Sequence, residues 1–341
     1  MNHPLDLPDV RLAAWLERHV DGFRGPLTAT KFKGGQSNPT YLIEAASGRY
    51  VLRRKPPGEL LASAHAVDRE FRVIGALHGG AVPVARPLHL CTDDTVIGSW
   101  FYLMEFVDGR SFWDPALPDL PADQRGAVYR EMVRVMAALH SVDVDAVGLA
   151  DYGSSGDYFE RQVARWTRQY RASETGRIEA MEALIDWLPS VVPGDGGARS
   201  LVHGDFRIDN LIFDRASTRV LAVVDWELST LGHPLADLAY LCMCLRLPRN
   251  PVIPGLAGLD RAELGIPDEA SMIADYRALG GMDAGDAWPF HLAFNFFRLA
   301  GIAQGVYKRA EQGNASSDQA LAAGHMTGML ARMGCEAAGL G

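Results

Sequence analysis

The chain has 341 residues, of which 48% are hydrophobic and 22% are charged, and its formal net charge at pH 7 is −9. This length exceeds the usual size of one domain and predicts either one large two-lobed unit or two domains. Composition disfavours nucleic acid as a partner and a membrane span, because no apolar run reaches 18 residues. The cysteines are scattered without C-x-x-C spacing or a secretory leader, which predicts a cytoplasmic protein.

The first part of the chain alternates between helical and strand-like patterns. Apolar periodicity predicts a helix over residues 9–22 with Asp9 as its N-cap, and three strands follow between residues 28 and 55. Another helix is predicted over 64–79, and "PVARPLHLCTDD" and "WFYLMEFVDG" are typical of two further strands. Residues 1–107 are therefore predicted to form an N-terminal lobe, an antiparallel β-sheet with one inserted helix.

Residues 108–341 are predicted to form a mainly helical C-terminal lobe, which makes the fold class α+β. The helical patterns cover residues 122–141, 155–175, 177–188, 234–246, 268–279, 286–312 and 317–335. Residues 201–225 are the exception. There the apolar runs "NLIFD" and "RVLAVVD", joined by "RAST", predict a small β-hairpin with polar residues at both ends.

Three oxygen-bearing side chains are expected to meet at this hairpin. Asp205 and Asn210 lie on the segment "HGDFRIDN" that enters it, and Asp225 lies at its exit, so a tight hairpin returns Asp225 close to Asn210. Carboxylate and amide oxygens are ligands that Mg²⁺ prefers, with phosphate and water completing its shell. A further carboxylate can accept a hydroxyl proton, which is the arrangement of protein kinases.

These motifs resemble the aminoglycoside phosphotransferase family. "HGDFRIDN" and "VVDWE" are similar to its catalytic and metal loops, where His-Gly-Asp replaces the His-Arg-Asp of protein kinases. "GGQSNPTYLI", "YVLRRKPPG", "DREFRVIGAL" and "FYLMEFVDGR" further resemble the kinase-like domains fused to some acyl-CoA dehydrogenases, and their free-standing bacterial relatives. The resemblance covers nearly the whole chain and implies a protein-kinase-like two-lobed fold that uses ATP and Mg²⁺.

The resemblance assigns roles to residues of the catalytic and metal loops. Asp205 is implied to be the base or the carboxylate that orients the acceptor, and Asn210 and Asp225 to be the Mg²⁺ ligands. Arg207 matches the place where many protein kinases carry a lysine near the transferred phosphoryl group. A guanidinium there would offset charge that builds on the equatorial oxygens.

The resemblance also assigns the nucleotide contacts. Arg53 aligns with the strand lysine that pairs with phosphates, and Glu70 with the helix glutamate that holds it. Because arginine replaces lysine here, Lys55, on the same strand face, is a rival for this role. The phosphate-covering loop is implied to comprise Gly34, Gly35, Ser37 and Asn38, and the backbone of Glu105 and Val107 is implied to bind adenine.

Each of these residues also has a structural interpretation. Asp205 and Asn210 could cap turns, because Asp and Asn are favoured there. Arg53 and Glu70 could form an ordinary surface ion pair, and Arg207 could be an exposed charge.

Three nearby polar residues are expected to support the structure. His203 is expected to brace its loop, and Asp237 to cap and anchor its own helix. Arg298 interrupts an aromatic helix and either belongs to the core or faces the acceptor.

The sequence therefore predicts transfer of the γ-phosphoryl group of ATP to the hydroxyl group of a small molecule. Family likeness favours a 4-hydroxyacyl-CoA or a related hydroxy acid. An aminoglycoside, choline and a catalytically silent nucleotide-binding pseudokinase are the alternatives. The Walker A, dinucleotide-binding, zinc and α/β-hydrolase motifs are missing, and no room is left for the activation loop of a protein kinase. GTP in place of ATP and the oligomeric state are left open.

Overall fold

The computed structural model of the chain describes residues 7–32, 38–56, 66–154, 156–250, 253–311 and 318–340. Contacts divide the chain into two compact units. The first comprises Met1–Ser111, Asp145–Leu149 and Asn210–Ser229, and the second comprises Phe112–Val144, Ala150–Asp209 and Thr230–Gly341. The boundary between residues 107 and 108 stays a prediction, and the contacts assign the hairpin segment to the unit that contains the sheet.

In the described part of the first unit, five strands form an antiparallel sheet with the order β1-β2-β3-β5-β4. The strands are β1 Leu27–Lys31, β2 Thr40–Ala45, β3 Gly48–Arg54, β4 Pro87–Cys91 and β5 Phe101–Glu105. Alternate side chains of a strand point to opposite faces, and Tyr41 and Ile43 of β2 are accordingly buried together with Leu52 of β3. The predicted antiparallel sheet is confirmed.

Helices α1 (Asp9–His19), α2 (Val67–Leu77) and α3 (Asp94–Ile97) accompany this sheet. The predicted cap of α1 was wrong, because Asp9 is its first helical residue and Pro8 occupies the N-cap position. Helix α2 is the inserted helix, and it buries Glu70 together with an apolar stripe at helical spacing. Helix α3 was not predicted, since a single turn is too short to show a periodic pattern.

The second unit is mainly helical, as predicted. Its helices are α4 Ala122–His140, α5 Tyr158–Ser173, α6 Glu179–Trp187, α7 Leu235–Arg246, α8 Glu269–Ala278, α9 Trp288–Glu311 and α10 Asp318–Ala338. Helix α9 packs against α5, α7 and α10, which explains why it is apolar on nearly all sides. Within the described ranges, no helix combines the length and the hydropathy needed to cross a lipid bilayer.

Two short strand pairs flank the polar segments. Strand β6 (Ser200–Val202) pairs with β9 (Thr230–Gly232) in the second unit, and β7 (Leu211–Phe213) pairs with β8 (Val220–Val223) in the first. The β7–β8 pair confirms the predicted hairpin. The β6–β9 pair was not predicted, because its strands are three residues long and distant in sequence.

Candidate active site

Arg53 on β3 is surrounded by carboxylates of the first unit. Its Nε lies 2.7 Å from Glu70 Oε2, and its Nη2 lies 2.6 Å from Asp225 Oδ1 and 3.4 Å from Glu227 Oε2. Burial alone would lower the pKa of the guanidinium, but these carboxylates, Glu70 foremost, raise it above its ordinary value. Arg53 is 8% exposed and Glu70 is 1% exposed, so the pair is not an ordinary surface ion pair.

Glu70 on α2 is held by further donors. The Asn38 amide donates to Glu70 Oε1 at 2.6 Å, and the Tyr102 hydroxyl of β5 donates to Oε2 at 3.1 Å. The resemblance implied that Asn38 offers a donor to phosphate; its side chain is instead fully buried and donates to Glu70. This network fixes the position of the carboxylate and thereby that of Arg53.

The hairpin places Asn210 and Asp225 at adjacent strand ends. Val224 N–H donates to the Asn210 carbonyl at 3.0 Å, directly beside the Leu211–Val223 pair. Asp225 then adopts a left-handed backbone conformation with φ 64° and ψ 61°. The turn that follows supplies Glu227, whose carboxylate also approaches Arg53.

The oxygen atoms at this end of the hairpin are of the kind that Mg²⁺ binds. Asp225 is an oxygen donor whose side chain is 33% exposed, and Asn210 adds an amide oxygen on the neighbouring strand end. In the described ranges no three His, Cys, Asp or Glu side chains cluster as a metal site. A sparse set of oxygen donors is what Mg²⁺ needs when nucleotide phosphates and water complete its octahedral shell, whereas a dedicated protein cage would need more ligands.

Asp205 lies on the loop after β6 in the second unit. Its Oδ1 accepts a hydrogen bond from the Tyr240 hydroxyl at 2.6 Å, and the same oxygen lies 3.1 Å from Arg207 Nε. Burial favours the neutral acid, but Arg207 and the Tyr240 hydrogen bond outweigh it and lower the pKa of Asp205. Asp205 is therefore ionised at neutral pH and can accept a proton.

Arg207 is a half-buried ion-pair partner and not an exposed charge. Its Nη2 lies 2.9 Å from Asp209, and its side chain is 18% exposed. Burial opposes its charge, yet Tyr240, Asp205 and Asp209 together raise the pKa of Arg207 above its ordinary value. A permanent positive charge thus lies beside the ionised Asp205.

The backbone that carries Asp205 is held from both sides. The Asp237 carboxylate accepts from the N–H groups of His203 (2.7 Å) and Gly204 (2.8 Å), and Arg298 Nη2 donates to the Gly204 carbonyl at 2.7 Å. His203 braces the loop as expected, because its Nδ1 accepts from Asp205 N–H at 3.2 Å. The expectation that Asp237 caps its own helix was wrong, since its carboxylate anchors this loop and Pro234 occupies the N-cap position of α7.

The remaining predicted nucleotide contacts are distributed as follows. Glu105 N–H donates to the Arg86 carbonyl at 3.0 Å, which excludes this amide as a free donor for adenine. Lys55 Nζ lies 4.0 Å from the centre of the Trp100 ring, in a cation–π contact. Gly34, Gly35 and Ser37 lie outside the described residues.

Sequence reasoning missed Tyr240, Glu227 and Tyr102, each of which contacts a predicted site residue. Tyr240 lies one helical turn beyond Asp237 on α7, so its place on the same helix face was a usable signal. No sequence signal pointed to Tyr102, because its contact with Glu70 depends on how β5 lies relative to α2.

Known proteins share this sequence over most of its length. A family model described as "Phosphotransferase enzyme family" matches residues 28–274. Acyl-CoA dehydrogenase family member 10 of Mus musculus is 48% identical over 324 residues, which cover 93% of this chain and 30% of that protein. Acyl-CoA dehydrogenase family member 11 of Homo sapiens is 41% identical over 331 residues, 95% of this chain and 42% of that protein. The chain spans less than half the length of these curated relatives.

Solved structures show the same fold. The crystal structure of a protein provisionally named an aminoglycoside phosphotransferase, from Ralstonia eutropha JMP134, is 50% identical with a TM-score of 0.89, and the match covers 98% of this chain and 99% of that one. A mutant of aminoglycoside phosphotransferase APH(4)-Ia, in a ternary complex with ADP and hygromycin B, is 16% identical with a TM-score of 0.61 over 94% and 97% of the two chains. At that identity the likeness concerns the fold alone.

Proposed function

The chain belongs to the aminoglycoside phosphotransferase family of phosphotransferase enzymes, and from this premise we propose that it transfers the γ-phosphoryl group of ATP to the hydroxyl group of a 4-hydroxyacyl-CoA or a related hydroxy acid. Family membership supports a kinase that phosphorylates a small molecule. The identity of the acceptor rests on other observations.

The observation that carries the proposal is the pair of contacts made by Asp205 Oδ1, with the Tyr240 hydroxyl at 2.6 Å and with Arg207 Nε at 3.1 Å. Both contacts favour the ionised form of the carboxylate. A carboxylate in this state can orient an acceptor hydroxyl and accept its proton as the oxygen attacks. Arg207 would stabilise negative charge on the phosphoryl group in transfer.

The nucleotide contacts follow from the first unit. Arg53 would release part of its carboxylate contacts and donate to the phosphate oxygens, while Glu70 keeps it in place. Adenine would accept from Val107 N–H and donate to the Glu105 carbonyl, because Glu105 N–H already donates to Arg86. Asn210 and Asp225 would hold Mg²⁺, which would supply positive charge against the negative charge that develops during transfer.

The acceptor is inferred from two lines of support. The curated relatives that match nearly the whole chain are named acyl-CoA dehydrogenases, which connects this kinase-like sequence with acyl substrates. Arg207 and Arg298 also lie along the Asp205 loop. Their guanidinium groups could meet an anionic acceptor once Arg207 releases part of its contacts with Asp205 and Asp209.

The test is acceptor-dependent ADP release with Mg²⁺-ATP, measured with a 4-hydroxyacyl-CoA, the free hydroxy acid, aminoglycosides and choline. Asp205→Asn keeps the size of the side chain but removes the base, so turnover should fall by about 10²-fold or more while ATP still binds. Asp225→Ala should weaken Mg²⁺-ATP binding itself, because a metal ligand is lost.

Release with aminoglycosides alone would overturn the acyl acceptor and keep the kinase. ATP binding without release on any acceptor would indicate a pseudokinase. Full turnover by Asp205→Asn would show that the base lies elsewhere.

A further inference from the structure

Asp237 is a buried carboxylate of the second unit that accepts several hydrogen bonds. It is 1% exposed, and its two oxygens accept from His203 N–H, from Gly204 N–H and from His140 Nε2, the last at 3.2 Å. Burial opposes the charge of this carboxylate, but these donors, His140 foremost, lower the pKa of Asp237. The charge of Asp237 is therefore maintained by His140 and by the loop that precedes Asp205.

His140 is held in turn by Tyr276. The side chain of His140, at the end of α4, is 3% exposed, and its Nδ1 lies 2.6 Å from the hydroxyl of Tyr276 on α8. Tyr276 is fully buried, and its hydroxyl proton finds its acceptor in His140 Nδ1. An ionised carboxylate can only accept hydrogen bonds, so the His140 Nε2 that faces Asp237 carries a proton.

We infer that His140 and Tyr276 are positioning residues for the phosphoryl transfer, and that they act through Asp237 on the backbone of His203 and Gly204, which carries Asp205. The inference rests on the proposed role of Asp205 as the base. Tyr276 bonds to His140 and His140 bonds to Asp237, so the proposed effect runs along a chain of hydrogen bonds from α8 through α4 to α7.

The physical consequence concerns the precision of the loop. Without the His140 donor, the buried Asp237 carboxylate loses the group that most supports its charge, and its hold on the two loop amides loosens. Asp205 directly follows Gly204, so a small shift of that peptide moves the base relative to the acceptor hydroxyl. Phosphoryl transfer depends on such positioning, and displacement of about 1 Å can cost about 10²-fold in rate.

The experiment compares His140→Leu with His140→Gln, since the glutamine amide can donate to Asp237 from nearly the place of Nε2. His140→Leu should lower kcat by about tenfold or more with KM for ATP unchanged, and His140→Gln should restore kcat to within about threefold. Equal kcat in His140→Leu and the unmodified protein would overturn the inference, and so would a His140→Gln variant as slow as His140→Leu.

A second pair of variants tests the inference in case His140→Leu does not fold. Tyr276→Phe removes the hydroxyl that fixes the histidine tautomer and should lower kcat by about threefold. Tyr170→Phe is the matched control, because Tyr170 is equally buried and its hydroxyl has no hydrogen-bond partner in the described ranges. Equal losses of kcat in both variants would indicate a general packing effect and contradict the inference.

Hydrogen exchange separates this inference from the proposed function. The amides of His203 and Gly204 should exchange about tenfold faster in Tyr276→Phe than in Tyr170→Phe, whatever the acceptor is. Unchanged exchange would overturn the inference even in an active kinase. Faster exchange in a protein that releases no ADP with any acceptor would instead contradict the proposed function, and the hydrogen-bond chain would stand.

Discussion

Arg53 is held by carboxylates and is also the residue proposed to bind phosphate. Its Nε contacts Glu70 and its Nη2 contacts both Asp225 and Glu227, a forked geometry that the single ammonium group of a lysine cannot reproduce. Glu227 is thus a third carboxylate beside the predicted phosphate-binding arginine. Lys55, the rival, already contacts the Trp100 ring.

The two candidates can be separated by binding measurements. Arg53→Lys should weaken ATP binding by about tenfold or more, because lysine loses the forked contacts that orient the cation. Lys55→Met should change the dissociation constant by less than about threefold, since the half-buried Lys55 ammonium contacts the Trp100 ring. Titration calorimetry with Mg²⁺-ATP measures both. A Lys55→Met variant as weak as Arg53→Lys would assign the phosphate contact to Lys55.

The β7–β8 hairpin is the element on which the predicted metal ligands depend. It is extended by a bridge in which Arg110 and Phe213 exchange backbone hydrogen bonds of 2.8 and 2.7 Å. This bridge requires Gly109, where a Cβ would overlap the Ile212 side chain and lie 2.5 Å from the Phe213 carbonyl oxygen. The glycine therefore allows the segment after β5 to pack against β7.

Gly109→Ala should disturb this hairpin. The added methyl group must displace β7, at a cost of about 1–3 kcal/mol in the free energy of unfolding, and Mg²⁺-ATP binding should weaken because Asn210 and Asp225 flank the hairpin. Thermal melting and ATP titration check both effects. Gly176→Ala is the control, since no atom lies within 4 Å of its added Cβ. Equal stability of the two variants would show that β7 adjusts without cost.

Most elements were predictable because their signals are local. The apolar period of α4 and α9, and the alternation in β2 and β3, are visible in short windows of sequence. The approximate positions of Asn210 and Asp225 followed from one hairpin. The contact of Glu70 with Tyr102 was not predictable, because packing between distant segments brings these residues together, whereas Tyr240 at least shares a helix face with Asp237.

At the scale of the whole molecule, the chain passes from one unit to the other within the segment that carries the predicted catalytic and metal residues. It leaves the second unit after Asp209, enters the first at Asn210, and returns at Thr230. Asp205 and Arg207 thus belong to one unit, and Arg53, Glu70 and Asp225 belong to the other.

The stability of the protein should fall in mild acid. Burial lowers the pKa of His233 to about 4 and that of His291 to about 3, and their rings stack with a centroid distance of 5.2 Å. Both pKa values lie below the value of about 6.5 in an unfolded chain. The unfolded state therefore binds more protons, and stability that is present above pH about 6.5 is lost as the pH falls towards these lower values.

Melting temperatures between pH 8 and pH 5 test this. Each histidine contributes a slope of up to about 1.4 kcal/mol per pH unit, so His291→Phe should flatten the profile, whereas His78→Gln, at an exposed position, should leave it unchanged. An unchanged profile in His291→Phe would mean that the buried histidines do not govern acid sensitivity.

A directed-evolution library sorted for heat resistance alone would be drawn towards position 225. Asp225 holds a left-handed backbone conformation that costs a non-glycine residue about 1 kcal/mol or more. Glycine there would relax the turn but remove the carboxylate that pairs with Arg53, so such a selection would reward loss of the proposed metal ligand where the relaxed backbone outweighs the lost ion pair. Thermostable variants selected without an activity assay would then include variants that lack Asp225 and are inactive. Sequencing codon 225 would identify these variants.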